Sequence, residues 1–197
     1  SVRHLYSAAL EQLMTRHELA DLARQDALTG LPNRLTLREA FHSRLGQAMT
    51  GECHLAIHYL DLDGFKAIND RHGHPTGDRL LKIVAGRLLS TVRSDDLAFR
   101  LGGDEFLILQ ANVSHRDEAD LLARRIIKHL SEPYVIDGRE MRISVSVGIA
   151  LSAELGLELE DLVACADSAL YSAKAKGKSQ LQFCEALRPA ETDRSAA

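Results

Sequence analysis

Between Cys53 and Leu62 the chain is apolar on both faces of a period-two pattern. Leu55, Ile57 and Tyr59 form one row, which ends at Asp61, while Leu60 and Leu62 fall on the other. A strand apolar on both sides is predicted to lie centrally, covered by helices. The rest of the pattern is consistent with that frame. Helical spacing predicts helices over about 34–48, 78–91, 116–130 and 158–176, with a short one over 65–70. Leu80, Leu81, Val84, Leu88 and Leu89 form the inward face of the second, and Leu121, Leu122, Ile126 and Ile127 that of the third. Two short apolar runs, Leu97–Phe99 and Phe106–Leu109, meet at Gly102-Gly103, which predicts a tight hairpin. A second hairpin is expected from Tyr134–Ile136, an Asp137-Gly138 turn and Met141–Leu151, and Leu181–Phe183 makes a last short strand.

Residues 1–25 contain no Gly or Pro and predict one helix. Leu5, Ala9, Leu13, Ala20 and Ala23 trace a seam that Arg16 and His17 break. That helix either packs on its own domain or carries a signal by pairing with a second copy. Gly30 and Pro32 end it in a turn-rich connector. After Glu185 the residues are polar and small, which predicts a disordered tail. The predicted order, α-α-β-α-β-β-α-β-β-α-β, alternates helices with hairpins. It implies an α+β fold with a mixed, mainly antiparallel central sheet flanked by helices. The expected division is a linker or signalling helix over 1–25, a domain over 26–184 and a tail over 185–197.

The 197 residues, 45% hydrophobic and 26% charged, suit one sizeable core, and no internal repeat is visible. A net charge of −4 disfavours a partner made of nucleic-acid polymer but not a nucleotide enzyme. Cys53, Cys165 and Cys184 are far apart and form no local zinc motif, so free thiols in a reducing cytoplasm are expected. No apolar run nears the roughly 18 residues that a membrane span requires, and no signal peptide is evident. The first residue is Ser1, so the chain can be a fragment of something longer.

Two carboxylate groups stand where strands end or begin: Asp61-Leu62-Asp63 and Asp104-Glu105. If those strands are neighbours, both groups reach one edge of the sheet. Hard divalent cations take such oxygen ligands, and Mg²⁺ combines one or two carboxylates with water and substrate phosphates. Each group alone could equally be a solvated surface pair. Downstream, Lys66 offers a cation and helix-start amides suited to phosphate. Asn69 and Asp78 are chemically able to hold a guanine edge, although an Asn near a helix end is more often a cap. Lys174 and Lys178, four residues apart, either balance a helix dipole or reach a polyphosphate. His74 has no ligand partners in sequence and reads as structural.

The chain resembles the GGDEF domains of the diguanylate cyclase family. The resemblance rests on Asp26–Arg34 (DALTGLPNR), Asp61–Asp78 (DLDGFKAINDRHGHPTGD), Arg100–Phe106 (RLGGDEF), Ser146–Ala150 (SVGIA) and Ala166–Lys178 (ADSALYSAKAKGK), in the family's order over about 26–184. It implies a fold similar to the palm of nucleotide cyclases and polymerases. It also implies that two GTP condense to cyclic di-GMP and two pyrophosphates, each held by one copy of a homodimer. Carried over by position, Asp61 and Glu105 would bind Mg²⁺ or Mn²⁺, assisted by the Leu62 carbonyl and Asp104. Gly102 and Gly103 would let the nucleotide lie against the backbone. Asn69 and Asp78 would read guanine, and Phe65, Lys66, Lys174 and Lys178 would line or contact the phosphates. Arg93 and Asp96 match an R-x-x-D pattern that binds the product and inhibits, with Arg125, or the adjacent Arg124, as a third member. The other reading of that pattern is a loop salt bridge.

Two departures matter. Gly177-Lys178-Ser179 replaces the family's usual Gly-Arg-Asn, which keeps a cation but loses a guanidinium fork. Glu185-Ala186-Leu187 spells the name of a partner phosphodiesterase family; the ten residues after it are too few to show such a domain, and the match is expected to be coincidence. The alternative function is a silent module that binds GTP or cyclic di-GMP and regulates an attached domain.

Overall fold

A computed structural model describes Met14 and residues 23–48, 54–156 and 158–185. Most of the helix expected over 1–25, and nearly all of the tail, lie outside the described residues. Residues 23–25 are turn and bridge rather than helix, with Gln25 bridging to Pro32.

Helix α1 (Arg34–Ala48) starts at Asn33, whose Oδ1 accepts the amides of Leu35 (3.0 Å) and Thr36 (3.3 Å). Strand β1 (His54–Asp63) then enters the sheet. Two short-linked helices follow, α2 (Phe65–His72) and α3 (His74–Thr91). The sequence placed the start of α3 near Asp78. It begins four residues earlier because Pro75 sits in its first turn, where a missing amide costs nothing. Strands β2 (Leu97–Gly102) and β3 (Glu105–Val113) form the hairpin, and α4 (Arg116–Leu130) follows.

The second predicted hairpin divides. β4 (Tyr134–Ile136) and β5 (Arg139–Met141) pair only with each other, about a turn in which Asp137 and Gly138 both take positive φ. Strand β6 (Ser144–Leu151) belongs instead to the main sheet. A short α5 (Ser152–Leu155), the long α6 (Leu159–Ala175) and β7 (Leu181–Phe183) complete the chain.

The main sheet runs β2-β3-β1-β6-β7, antiparallel except for the β6–β7 pair. β1 is central, as its two apolar faces predicted. One face carries Ala56, Leu60 and Leu62 against α2, α3 and α4, and the other carries Leu55, Ile57 and Tyr59 against α1 and α6. Leu89 and Leu121, expected inward, are 57% and 62% exposed. The buried stripes are Leu80, Leu81, Val84, Ala85 and Leu88 on α3, and Ala119, Leu122, Ala123, Ile126 and Leu130 on α4. A further position along either helix rotates the side chain about 100° out of the stripe.

Gly148 fixes where α6 crosses the sheet. A Cβ there would overlap the Ala166 carbonyl and the Leu170 amide, so helix and strand touch through their backbones. That crossing determines where Lys174, one turn further on, meets the end of β1.

Candidate active site

The hairpin that carries the central motif is tighter than the Gly-Gly pair suggested. Gly102 pairs with Glu105, so the two loop residues are Gly103 and Asp104. Gly103 takes φ +50, as a glycine at the first loop position of a hairpin can, and Gly102 takes φ +143. A Cβ on either would meet nothing within 4 Å. Open space therefore lies beside this backbone, and conformation rather than crowding is what requires glycine.

Register brings the two carboxylate groups together. Asp61 stands opposite Glu105 across β1 and β3, and the Leu62 amide donates to the Asp104 carbonyl at 3.3 Å. Lys174 reaches down from α6 to Asp61, with Nζ 2.5 Å from Oδ1. Burial raises the Asp61 pKa above the ordinary carboxylate value; the Lys174 bond opposes this, and the neighbouring Asp104 and Asp63 add to it. A carboxylate burdened in this way gains from a cation. Among the described residues no three His, Cys, Asp or Glu side chains form a ready-made metal cluster. Two facing carboxylates and nearby carbonyls nevertheless form an all-oxygen set, which fits Mg²⁺ or Mn²⁺ completed by substrate phosphates.

Asp63, grouped with Asp61 in sequence, does different work. Its carboxylate accepts the hydroxyls of Ser144 (3.1 Å) and Ser146 (2.8 Å) and the amide of Ser179 (3.0 Å). It thereby ties β1, β6 and the loop after α6 together. Lys178 and Ser179 both take positive φ to bring that amide round. Lys178 itself is exposed.

On the other face, Asn69 lies near the end of α2. Its Oδ1 is buried and has no hydrogen-bond partner. A Cβ on Gly77 would overlap that same oxygen and press on Cζ of Phe65 at 3.2 Å. Gly77 thus leaves room for an acceptor that awaits a donor, and exposed Asp78 follows it directly. This unsatisfied amide beside a glycine suits a guanine edge. Phe65 is buried and Lys66 exposed at the start of α2.

Three contributors take parts that the sequence did not assign them. Arg100 donates to the Gly103 carbonyl (2.8 Å from Nη2) and to both oxygens of Asp26 (2.8 and 3.0 Å). It clamps the connector to the hairpin turn. Burial raises the Asp26 pKa, but the bonds from Thr29 and Arg100 outweigh it and hold this carboxyl below its usual value. Tyr59 shares the Asp61 row and lines a cleft of about 380 Å³ between α1 and α6 with Arg34, Leu37, Leu101 and Asp167. Burial, reinforced by Glu105 and Asp167, pushes its phenol up to about 12. Asp63 is the third. A lone Arg, a Tyr within an apolar row and an Asp beside another Asp each have ordinary readings.

The R-x-x-D residues lie apart from this centre, in the loop before β2. No ion pair joins Arg93 and Asp96 among the described residues. Buried Asp96 instead accepts the amides of Arg93 (3.1 Å) and Ala111 (3.2 Å). Arg93 and Arg125 are exposed, and Arg124 is engaged by Asp120 one turn earlier.

Residues 23–180 match the family model described as diguanylate cyclase, GGDEF domain. The chain belongs to the GGDEF domain family. It is 44% identical over 170 residues to the bifunctional diguanylate cyclase/cyclic di-GMP phosphodiesterase MucR of Pseudomonas aeruginosa, covering 85% of this chain and 24% of MucR. The chain thus spans about a quarter of that relative's length. The solved GGDEF domain of TpbB (YfiN) from the same organism superposes with a TM-score of 0.79 at 36% identity, over 82% of this chain and 94% of that one. The coiled coil and GGDEF domain of DgcB from Caulobacter crescentus, solved with c-di-GMP, gives a TM-score of 0.78 at 25% identity, over 92% and 97%. The α+β sheet with flanking helices is therefore the GGDEF fold.

Proposed function

We propose that this GGDEF domain, over about residues 26–184, is a diguanylate cyclase: it condenses two GTP into cyclic di-GMP with release of two pyrophosphates. The observation that carries this reading is the pairing of Asp61 with Glu105 where β1 ends and β3 begins, beside the open backbone of Gly102 and Gly103. Asn69 and Asp78 hold the guanine of one GTP, with Gly77 keeping the cradle clear. Lys174, already on Asp61, and Lys178 supply cations to the triphosphate, with Phe65 and Lys66 at the start of α2. Asp61 and Glu105 would hold Mg²⁺ or Mn²⁺, with the Leu62 carbonyl and Asp104 assisting. When bound, the metal neutralises phosphate charge and makes the attacking hydroxyl more acidic.

One chain presents one nucleotide, so a second copy presents the other. The 3′-hydroxyl of each GTP attacks the α-phosphate of its counterpart, and pyrophosphate leaves. Arg93 and Asp96 in the loop before β2, with Arg125 on α4, form a product site for cyclic di-GMP that restrains the enzyme. Solution of DgcB with c-di-GMP supports the ligand class. No helix among the described residues is long and apolar enough to cross a membrane. We place the reaction in the cytoplasm, where GTP is supplied.

The test is mass-resolved product analysis after incubation with GTP and Mg²⁺ at high protein concentration. Cyclic di-GMP is expected from the unaltered chain. Glu105→Gln is expected to lower its rate more than about 100-fold, which is roughly 2.7 kcal/mol of barrier. GTP binding without product, in a sample shown to be dimeric, would leave only a nucleotide-binding module.

A further inference from the structure

Cys165 on α6 and Cys184, the residue after β7, are joined as a disulfide with Cα atoms 5.5 Å apart. This departs from the free thiols expected from sparse, widely spaced cysteines. Spacing in sequence hid the pair: α6 and β7 fold back on each other, so 19 residues of separation close to bonding distance.

The surroundings hold the two residues in place independently of the bond. Cys184 donates its amide to the Ile149 carbonyl at 2.7 Å, and β7 runs in register along β6 from Val147–Leu181 to Ile149–Phe183. Gly148 lets α6 lie directly on that same strand. Both side chains are half-buried at the edge of the apolar cluster formed by Leu162, Ala166 and Leu170. The pair is therefore positioned to bond and remains within reach of a small reagent.

The segment between them contains Lys174, Lys178 and Ser179. Three consecutive residues in it, Gly177, Lys178 and Ser179, take positive φ (120°, 63° and 49°). It is tied to the site through Lys174 on Asp61 and Ser179 on Asp63. Closing the disulfide fastens the far end of this loop to the helix that begins it.

We propose that Cys165 and Cys184 form a reversible thiol–disulfide modification site, with a low-molecular-weight disulfide such as glutathione disulfide as co-reactant. One cysteine thiolate attacks the glutathione disulfide, forms a mixed disulfide and releases one glutathione thiolate. The other cysteine, deprotonated, displaces the second. Two protein thiols are oxidised to one disulfide, and one glutathione disulfide is reduced to two glutathiones. In a reducing compartment such a bond is transient and reports redox state. Its effect is to damp opening of the loop that carries Lys178 and Ser179.

The experiment uses the whole 197-residue chain, equilibrated first with reduced glutathione and then with glutathione disulfide. Thiol titration and peptide mass analysis are expected to show three free thiols falling to one, with a Cys165–Cys184 cross-link that reduced glutathione reverses. Hydrogen exchange over residues 176–185 is expected to slow about tenfold in the oxidised form. Cys184→Ser abolishes both effects, whereas Cys53→Ser leaves them intact. Three thiols under both conditions, a cross-link through Cys53, a bond that reduced glutathione does not open, or exchange unchanged by oxidation would each overturn the proposal. None of these readouts requires cyclase activity.

Discussion

Gly77 has no side chain in the space that Asn69 needs. Its replacement by Ala makes a clean test, because two effects oppose each other. Alanine favours a helix interior by about 1 kcal/mol over glycine. The added Cβ must at the same time displace the Asn69 amide and the Phe65 ring. Gly77→Ala is therefore expected to keep thermal stability near that of the parent while weakening binding of a non-hydrolysable GTP analogue at least about tenfold, or roughly 1.4 kcal/mol, by calorimetry. Unchanged affinity would separate Asn69 from the nucleotide. At this scale the convergence of the two carboxylate groups was readable, and the register places Asp61 opposite Glu105. The sequence was misleading where one residue type serves two ends. Asp63 looks like a second metal carboxylate beside Asp61, yet Ser144, Ser146 and the Ser179 amide occupy its oxygens. Arg100 could not be distinguished from a solvated charge until Asp26, 74 residues away, came into contact.

Among the elements, α6 connects fold to chemistry. It carries Lys174 to Asp61 and half of the cysteine pair, and its seat on the sheet depends on Gly148. The obstacles to a side chain there are backbone atoms of Ala166 and Leu170, which cannot rotate away. Gly148→Ala should lift the helix and cost about 1–3 kcal/mol, as overpacking does. At roughly 2–4 °C per kcal/mol for a domain of this size, thermal unfolding should fall by about 5 °C. A shift below about 1 °C would mean that α6 is seated by something else. Element type and order were largely legible, because long apolar stripes and a doubly apolar β1 leave few alternatives. Their ends were not. Pro75 starts α3 earlier than its apolar stripe does, and β5 and β6, continuous in pattern, belong to different sheets. The latter separation depends on tertiary pairing, which period-two alternation does not encode.

The whole molecule is built on a strand whose centre hides a titratable group. His58 is fully buried, bonded through Nε2 to Gln110 Oε1 at 2.8 Å, and its Nδ1 has no partner. Burial lowers its pKa from 6.5 to about 4, with the Gln110 bond opposing. The unfolded chain therefore takes up this proton at a higher pH than the folded one. Stability should be fully present above about pH 6.5 and decline as pH falls toward 4, by on the order of 3 kcal/mol from this group. Denaturant titrations of the parent and His58→Gln across that window should show a steeper loss in the parent; parallel curves would remove His58 as the cause. The proposed function, too, calls for more than one chain. The site presents facing carboxylates, cations and the unpartnered Asn69 Oδ1, proposed here to hold a single nucleotide, while the proposed product joins two. Specific activity against protein concentration tests this most directly, with cyclic di-GMP measured from GTP and Mg²⁺. Activity per chain is expected to rise with concentration and then level off as pairs saturate. Activity per chain that stays constant from the most dilute sample, where the protein sediments as a monomer, would contradict the proposal.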